Sequence, residues 1–108
     1  MSKAAEWTET TTADNAAATA THAAETGKAH FVTSIHASFS ATVAKLLTLK
    51  DGTTVIGNFY IYDSGGVTFD SPVRITDATL VELSLAASGT GGNVGAVTMS
   101  GYSVGAGL

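Results

Sequence analysis

The sequence has no cysteine, one proline and few charged residues, and these shortages exclude several kinds of site and partner. Without cysteine the chain has no disulfide framework, no thiolate metal site and no thiol nucleophile. Only 13% of the 108 residues are charged, against roughly 25% in a typical soluble domain. Nine acids against five bases give a net charge of -4. This balance argues against nucleic acid as a partner, because binding a phosphate backbone requires clustered Lys and Arg.

Long apolar runs are also missing. No stretch approaches 18 consecutive apolar residues, and the first residues lack the apolar block of a signal peptide. We therefore predict no membrane partner and see no targeting signal. The length suits a single domain with its own core.

The chain has two compositional zones. Residues 1–27 hold nine Ala and seven Thr, with no Leu, Ile or Val and with Trp7 as the only aromatic residue. Such a segment buries too little apolar area to offset the entropy lost on ordering. We predict a flexible N-terminal arm over residues 1–16, with Trp7 docking onto another chain, and a β-sandwich domain over residues 17–108. The alternating Ala and Thr favour a short strand near residues 17–24.

From Ala29 onward the hydropathy repeats every two residues, which is typical of strands with one buried face. In residues 31–39 we predict that the odd positions face the core and that Val32 and His36 lie on the opposite, more polar face. The odd apolar positions are Phe31, Ile35, Ala37 and Phe39.

Turn signals separate the strands. Asp51-Gly52 predicts a tight hairpin between residues 42–50 and 53–62. Ser71-Pro72 predicts the end of a short strand at residues 67–69, with the proline on an edge strand or at the start of the next strand. Further turn clusters recur at intervals of roughly ten residues, the spacing of a sandwich or barrel. We predict an all-β fold: an antiparallel β-sandwich, jelly-roll or Ig-like, of seven to eight short strands with an extended N-terminal arm.

The three histidines do not indicate a metal site by their spacing. His30 and His36 share a predicted strand face, where six residues at about 3.3 Å each place them roughly 20 Å apart. His22 lies in the Ala- and Thr-rich segment of residues 1–27 and approaches either of them only if that segment folds across, and we see no Asp or Glu at ligand spacing nearby. We predict surface or interface histidines and no metal.

Catalytic and nucleotide motifs are equally weak. Residues 89–95 resemble a dinucleotide loop, but Val94 stands where a small residue is required, which favours a hairpin loop. Asp51, Asp63 and Asp77 lie in turn contexts, where the side chain caps its own backbone. We predict that the protein is not an enzyme and uses no cofactor.

The last quarter of the chain carries no formal charge. Residues 83–108 contain no Asp, Glu, Lys or Arg, although exposed sheet edges are normally protected by charges. Monomers also keep exposed apolar patches small. We therefore expect other copies of the chain, or other proteins, to cover this surface, and we expect self-assembly.

Four stretches resemble small virion structural proteins of tailed bacteriophages, of the β-sandwich decoration or cement type. The resemblance implies a non-enzymatic protein on the capsid surface of the virion, commonly a homotrimer, whose partner is the major capsid protein or another virion protein. As contact residues we predict Trp7, Tyr60, Tyr62 and Tyr102. The matching stretches are residues 27–40, 47–58, 81–92 and 95–102.

An alternative function is a carbohydrate-binding or adhesive β-sandwich module of the tail-fibre or head-fibre type. Here Tyr60, Tyr62 and Tyr102 would lie on a sheet face and stack on sugar rings. Glycan titration separates the two hypotheses, because saturable binding favours the carbohydrate-binding module.

Overall fold

The computed structural model describes residues 5–105, which form eight β-strands. None of these residues lies in a helix, so the described part of the chain contains no helix that could cross a membrane. The strands are β1 (Ala5–Asp14), β2 (Ala18–His22), β3 (Lys28–Phe39), β4 (Ala44–Asp51), β5 (Thr54–Tyr62), β6 (Ser64–Arg74), β7 (Val81–Leu85) and β8 (Val94–Gly105).

The strands form two four-stranded antiparallel sheets that pack as a sandwich. Sheet 1 has the order β1-β8-β3-β6, and sheet 2 has the order β5-β4-β7-β2. The sheets meet at a corner where β5 and β6 share one pair, Tyr62 with Ser64. The predicted fold class is confirmed: the protein is an all-β antiparallel sandwich.

The hairpin between β4 and β5 lies where the sequence predicted it. The two strands pair from Ala44 with Tyr62 to Asp51 with Thr54. Gly52 occupies the turn at a φ of +62°, a conformation that glycine adopts without the steric penalty of a Cβ. The Asp51-Gly52 signal therefore identified both the turn and its two strands.

A β-bulge at Thr33 reverses the predicted faces at the start of β3. Against β8, Val32 pairs with Gly101 while Ser34 pairs with Ser100, so Thr33 is an extra residue. An extra residue turns the side chains before it to the opposite face. Val32 is therefore fully buried, and Phe31 lies on the outer face. The predicted assignment of these two residues is wrong.

Pro72 lies in an irregular part of an edge strand. The pairing of β3 with β6 changes from Val32–Val73 to Ser34–Thr68, so residues 69–72 loop out of the ladder. A proline is tolerated there because no ladder donor is lost. The edge placement agrees with the prediction, but the strand does not end at Pro72, since β6 continues to Arg74.

The predicted flexible arm is instead an edge strand of sheet 1. Strand β1 pairs with β8 over ten residues, from Ala5 with Ser103 to Asp14 with Val94. Hydroxyl groups add cross-strand contacts, with Thr8 3.2 Å from Ser100. A backbone ladder and paired hydroxyls stabilise a strand that has little apolar area. Residues 1–4 of the predicted arm lie outside the described residues.

Strand β8 lies in the interior of sheet 1, between β1 and β3. Neighbours within the same chain therefore cover both of its edges, which explains the absence of charge in this strand. The expectation that other copies cover this strand is corrected. Residues 106–108 lie outside the described residues.

The segment that joins β7 to β8 crosses from sheet 2 to sheet 1 and is not the predicted hairpin loop. The side chain of Asn93 is buried and holds the segment in place. Its Oδ1 accepts from the Ala41 N–H at 3.0 Å, and its Nδ2 donates to the Ala41 carbonyl oxygen at 3.2 Å. This paired contact fixes the crossover against the segment before β4.

The core lies between the inner faces of the two sheets. Its side chains come from alternate positions, as a period of two requires. The largest fully buried apolar side chains are Val32, Ile35, Leu47, Leu49, Ile75, Val81, Leu83, Leu85, Val97 and Met99.

Candidate functional site

Trp7 docks within its own chain, on the inner side of β1. It pairs across the ladder with Gly101, and the absent side chain there makes room for the indole. A Cβ built on Gly101 would lie 2.7 Å from Cζ2 of Trp7. The indole therefore fills space that only a glycine leaves open, and it is not free to insert into a partner as the sequence suggested.

A chain of hydrogen bonds links Trp7 to the buried His30. The indole Nε1–H donates to Ser103 Oγ at 3.0 Å, and Ser103 Oγ lies 2.6 Å from His30 Nδ1. His30 Nε2 lies 2.8 Å from the Ala23 carbonyl oxygen, which can only accept. In the neutral ring the proton is therefore on Nε2, and Nδ1 accepts from the Ser103 hydroxyl. Every polar group in the chain has a partner.

The His22 ring stacks on the Trp7 ring, and its two nitrogens face two carboxylates. Its ring lies 4.2 Å from the Trp7 ring at 9°, and 4.6 Å from the His30 ring in an edge arrangement. His22 Nδ1 lies 2.7 Å from Glu9 Oε2, and Nε2 lies 3.3 Å from Glu25 Oε1. We define the histidine cluster as Trp7, Glu9, His22, Glu25, His30 and Ser103.

Three members of the cluster could hold a metal ion. Ligand atoms of His22, Glu25 and His30 all lie within 4.8 Å of one another. The prediction of surface histidines missed this grouping, because hydropathy does not show that the end of β2 in sheet 2 faces the start of β3 in sheet 1. The sequence did offer one signal, because His22 and Glu25 are three residues apart and precede a turn. In that turn the Lys28 N–H donates to the Glu25 carbonyl oxygen.

His36 lies away from the cluster. It is exposed on the outer face of sheet 1, while His30 points into the sandwich. The bulge at Thr33 lies between the two histidines and reverses the side-chain alternation. The prediction that they share a face is wrong, and the prediction that they do not act together agrees with the structure.

The second candidate site is an exposed strip on β5. We define the β5 strip as Val55, Ile56, Tyr60 and Tyr62, which are 48%, 42%, 85% and 71% exposed. One side of β5 pairs with β4, and among residues 5–105 its other side is paired only at Tyr62. No charged residue occurs between Asp51 and Asp63. The strip thus combines a largely unpaired backbone edge with large apolar side chains.

The predicted tyrosine set is divided between the two sheets. Tyr60 and Tyr62 lie on the outer face of sheet 2, whereas Tyr102 lies on the outer face of sheet 1 and stacks on Phe31 at 5.2 Å. A flat ligand on sheet 2 therefore meets two of the three tyrosines. Tyr102 belongs to a separate aromatic pair.

The aspartates considered for catalysis lie at or next to turns, as predicted, but Asp51 and Asp77 direct their carboxylates to other residues and not to their own backbone. Asp51 Oδ2 accepts from the Thr76 N–H at 3.1 Å and from its hydroxyl at 2.7 Å. Asp63 has a φ of 72° at the corner between the sheets. Asp77 forms an ion pair with Arg74. Asp51 and Asp77 thus stabilise loops through their carboxylates, and Asp63 does so through its backbone conformation.

Comparisons with known proteins assign the chain to no family. No protein-family model matches the chain, and no curated protein matches it. Among solved structures, the chain is similar to the CBM36-1 domain of a multidomain xylanase from the hindgut metagenome of Trinervitermes trinervoides. The two share 18% sequence identity with a TM-score of 0.48, over 92% of this chain and 78% of that domain.

Proposed function

We propose that this protein is a non-enzymatic structural protein of a bacteriophage virion, a capsid decoration protein that attaches through the β5 strip. The observation that carries the proposal is the exposed, uncharged edge of β5 with Tyr60 at 85% exposure. An edge strand of this kind is normally shortened, charged or covered, because it pairs readily with another chain. Coverage by a partner explains why this edge carries no charge.

The chemistry of the strip fits strand addition. The unpaired N–H and C=O groups of β5 supply backbone hydrogen bonds to an incoming strand, and alternate side chains supply specificity. Tyr60 and Tyr62 present large apolar rings with a polar hydroxyl at the end, a combination enriched at protein interfaces. A strand of the coat protein, or of a neighbouring copy, would cover Val55 and Ile56.

A multivalent assembly strengthens such contacts. In the proposed homotrimer each β5 strip meets a different surface of the next copy, so that the ring closes. Once one subunit is bound to the coat lattice, its neighbours bind at high effective concentration. A modest contact at each strip then stabilises the whole shell.

A charged residue in the strip tests the proposal. We expect Tyr60→Lys to remain folded, because the side chain is exposed, but to lose the trimer and the attachment to capsids of the phage whose genome encodes the chain. Sedimentation velocity measures the first loss and co-sedimentation with capsids measures the second. Thr12→Lys, on the outer face of β1, is the matched control and should behave as the wild type.

Two results would contradict the proposal. The first is a wild-type protein that is a monomer and does not co-sediment with those capsids. The second is a Tyr60→Lys variant that attaches as tightly as the Thr12→Lys control. In either case the exposed edge of β5 has another role.

A carbohydrate-binding module is the second candidate, and one observation favours it. Tyr60 and Tyr62 are two residues apart on one exposed face, which places their Cα atoms roughly 6.6 Å apart, so that both rings can contact one oligosaccharide. We expect this function to show saturable millimolar binding of an oligosaccharide in a glycan titration, with loss of binding in Tyr62→Ala. Absence of binding across a glycan panel favours the decoration protein.

A further inference from the structure

We propose that the histidine cluster binds one divalent transition-metal ion, of which Zn²⁺ is the representative, through His22, Glu25 and His30. The proposal is independent of the β5 strip. It rests on the three ligand atoms within 4.8 Å of one another and on the hydrogen bonds that surround them.

The spacing of the first two ligand atoms already suits a tetrahedral ion. Zinc binds imidazole nitrogen and carboxylate oxygen at about 2.0–2.2 Å, so neighbouring ligand atoms in a tetrahedron lie about 3.3 Å apart. His22 Nε2 and Glu25 Oε1 are 3.3 Å apart. Moving the His30 ring inward, from within 4.8 Å of the other two ligand atoms to about 3.3 Å, completes a three-ligand site with water as the fourth ligand.

The surrounding groups prepare the His22 ring for a cation. Glu9 accepts the short 2.7 Å hydrogen bond from Nδ1, which places the proton of the neutral ring on Nδ1. The lone pair of Nε2 then faces the carboxylate of Glu25. Two electron-rich atoms at this distance repel unless a proton or a metal ion lies between them. A carboxylate on the far nitrogen is also the usual outer partner of a metal-bound histidine.

His30 requires one exchange of partners. Metal binding at Nε2 displaces its hydrogen bond to Ala23 and moves the ring proton to Nδ1, which then donates to Ser103 Oγ. Ser103 continues to accept from Trp7 and becomes an outer partner of the site. Lys28 Nζ, 3.6 Å from Glu25, is the competing cation, but an exposed pair of this kind is weak.

An ion here would join both sheets at one side of the sandwich. His22 ends β2 in sheet 2, and His30 lies on β3 in sheet 1, with Glu25 in the connection between them. Glu9 adds β1 as an outer partner. Metal binding should therefore raise the melting temperature, because the ion binds the folded chain and not the dispersed ligands.

Binding is measured on the full chain in two ways. Isothermal titration with ZnCl₂ should give one ion per chain with saturable binding. Cu²⁺ should quench the fluorescence of Trp7, the only tryptophan, because its ring lies 4.2 Å from the His22 ring. Zn²⁺ added in excess should reverse the quenching by competition.

Variants separate the cluster from adventitious surface binding. We expect Glu25→Gln to weaken Zn²⁺ binding at least tenfold and His22→Gln to abolish it, while Glu9→Gln weakens it about 10–100-fold. His36→Gln, which removes an exposed histidine outside the cluster, should leave affinity unchanged. Circular dichroism melting of each apo variant confirms that it is folded.

Several results would overturn the assignment. One is a wild-type chain that shows no saturable binding of Zn²⁺. Another is a set of affinities in which Glu25→Gln and His22→Gln match His36→Gln. Loss of Cu²⁺ quenching in His36→Gln alone would place the ion on the outer face of sheet 1.

Discussion

At the scale of single residues, the Ser103 side chain links three strands. Its hydroxyl accepts from Trp7 and donates to the neutral ring of His30, so one side chain joins β1, β8 and β3. His30 is 1% exposed and Ser103 is 2% exposed. Water is therefore a poor replacement partner for either side chain, and the loss of the hydroxyl should be costly.

We expect Ser103→Ala to lower the free energy of unfolding by about 1–3 kcal/mol, because it leaves the indole N–H and His30 Nδ1 without partners. Urea denaturation followed by circular dichroism measures the change. Ser100→Ala, which removes an exposed hydroxyl from the same strand, is the control and should change stability by less than about 0.5 kcal/mol. Equal effects would mean that the buried chain of hydrogen bonds contributes nothing specific.

Gly101 has a comparable role in packing. A Cβ there would press against the Phe31 carbonyl oxygen and against the indole of Trp7. We expect Gly101→Ala to destabilise the fold by about 1–3 kcal/mol through overpacking. Gly91→Ala, whose Cβ would meet nothing within 4 Å, is the matched control. A melting temperature of Gly101→Ala equal to that of the control would contradict this account.

Residues with a local conformational signal were predictable from the sequence. Asp51-Gly52 marked a hairpin and Pro72 marked an edge strand, since both act through their own backbone geometry. The bulge at Thr33 was not predictable, because an extra residue in a ladder depends on the facing strand. The histidine cluster was missed for the same reason: it brings together residues from four strands and one connection.

At the scale of elements, β1 shows why composition alone misjudges a strand. Its Ala and Thr residues bury little area, but its ten-residue ladder with β8 satisfies backbone groups and aligns hydroxyls. In the sequence the Ala- and Thr-rich first strand and the charge-free last strand were separate features. In the structure the two strands pair with each other. The missing charges on β8 reflect coverage by β1.

Deleting residues 1–14 should therefore do more than remove an attachment arm. We expect the truncated chain to expose the uncharged edge of β8, to melt at lower temperature and to self-associate. Light scattering and thermal denaturation measure both effects. A truncated chain with the association state and melting temperature of the full-length protein would show that β1 is dispensable for the sandwich.

At the scale of the whole molecule, most contacts join distant parts of the chain. Trp7 and Ser103 are 96 positions apart, and both sheets combine strands from the two halves of the sequence. Domains dominated by such non-local pairing fold in milliseconds to seconds, because each closure costs entropy before contacts form. The fold class was predictable from the regular strands, whereas the strand order was not, since hydropathy does not specify neighbours.

We expect refolding from urea to take about milliseconds to seconds, with the Trp7 signal appearing in the final phase as β1 docks. Stopped-flow fluorescence measures it, and far-ultraviolet circular dichroism follows the rest of the sheet. Trp7→Phe is the control that identifies the source of the fluorescence change. A complete Trp7 change within microseconds would contradict late docking.

The position of β8 between β1 and β3 has a consequence for biosynthesis. During translation β1 and β3 emerge from the ribosome before β8, the strand that lies between them and pairs with both. Sheet 1 cannot close until residues 94–105 have emerged from the exit tunnel. A nascent chain arrested after residue 93 should therefore be cleaved rapidly by protease, whereas release of the last strand should confer resistance within one folding time.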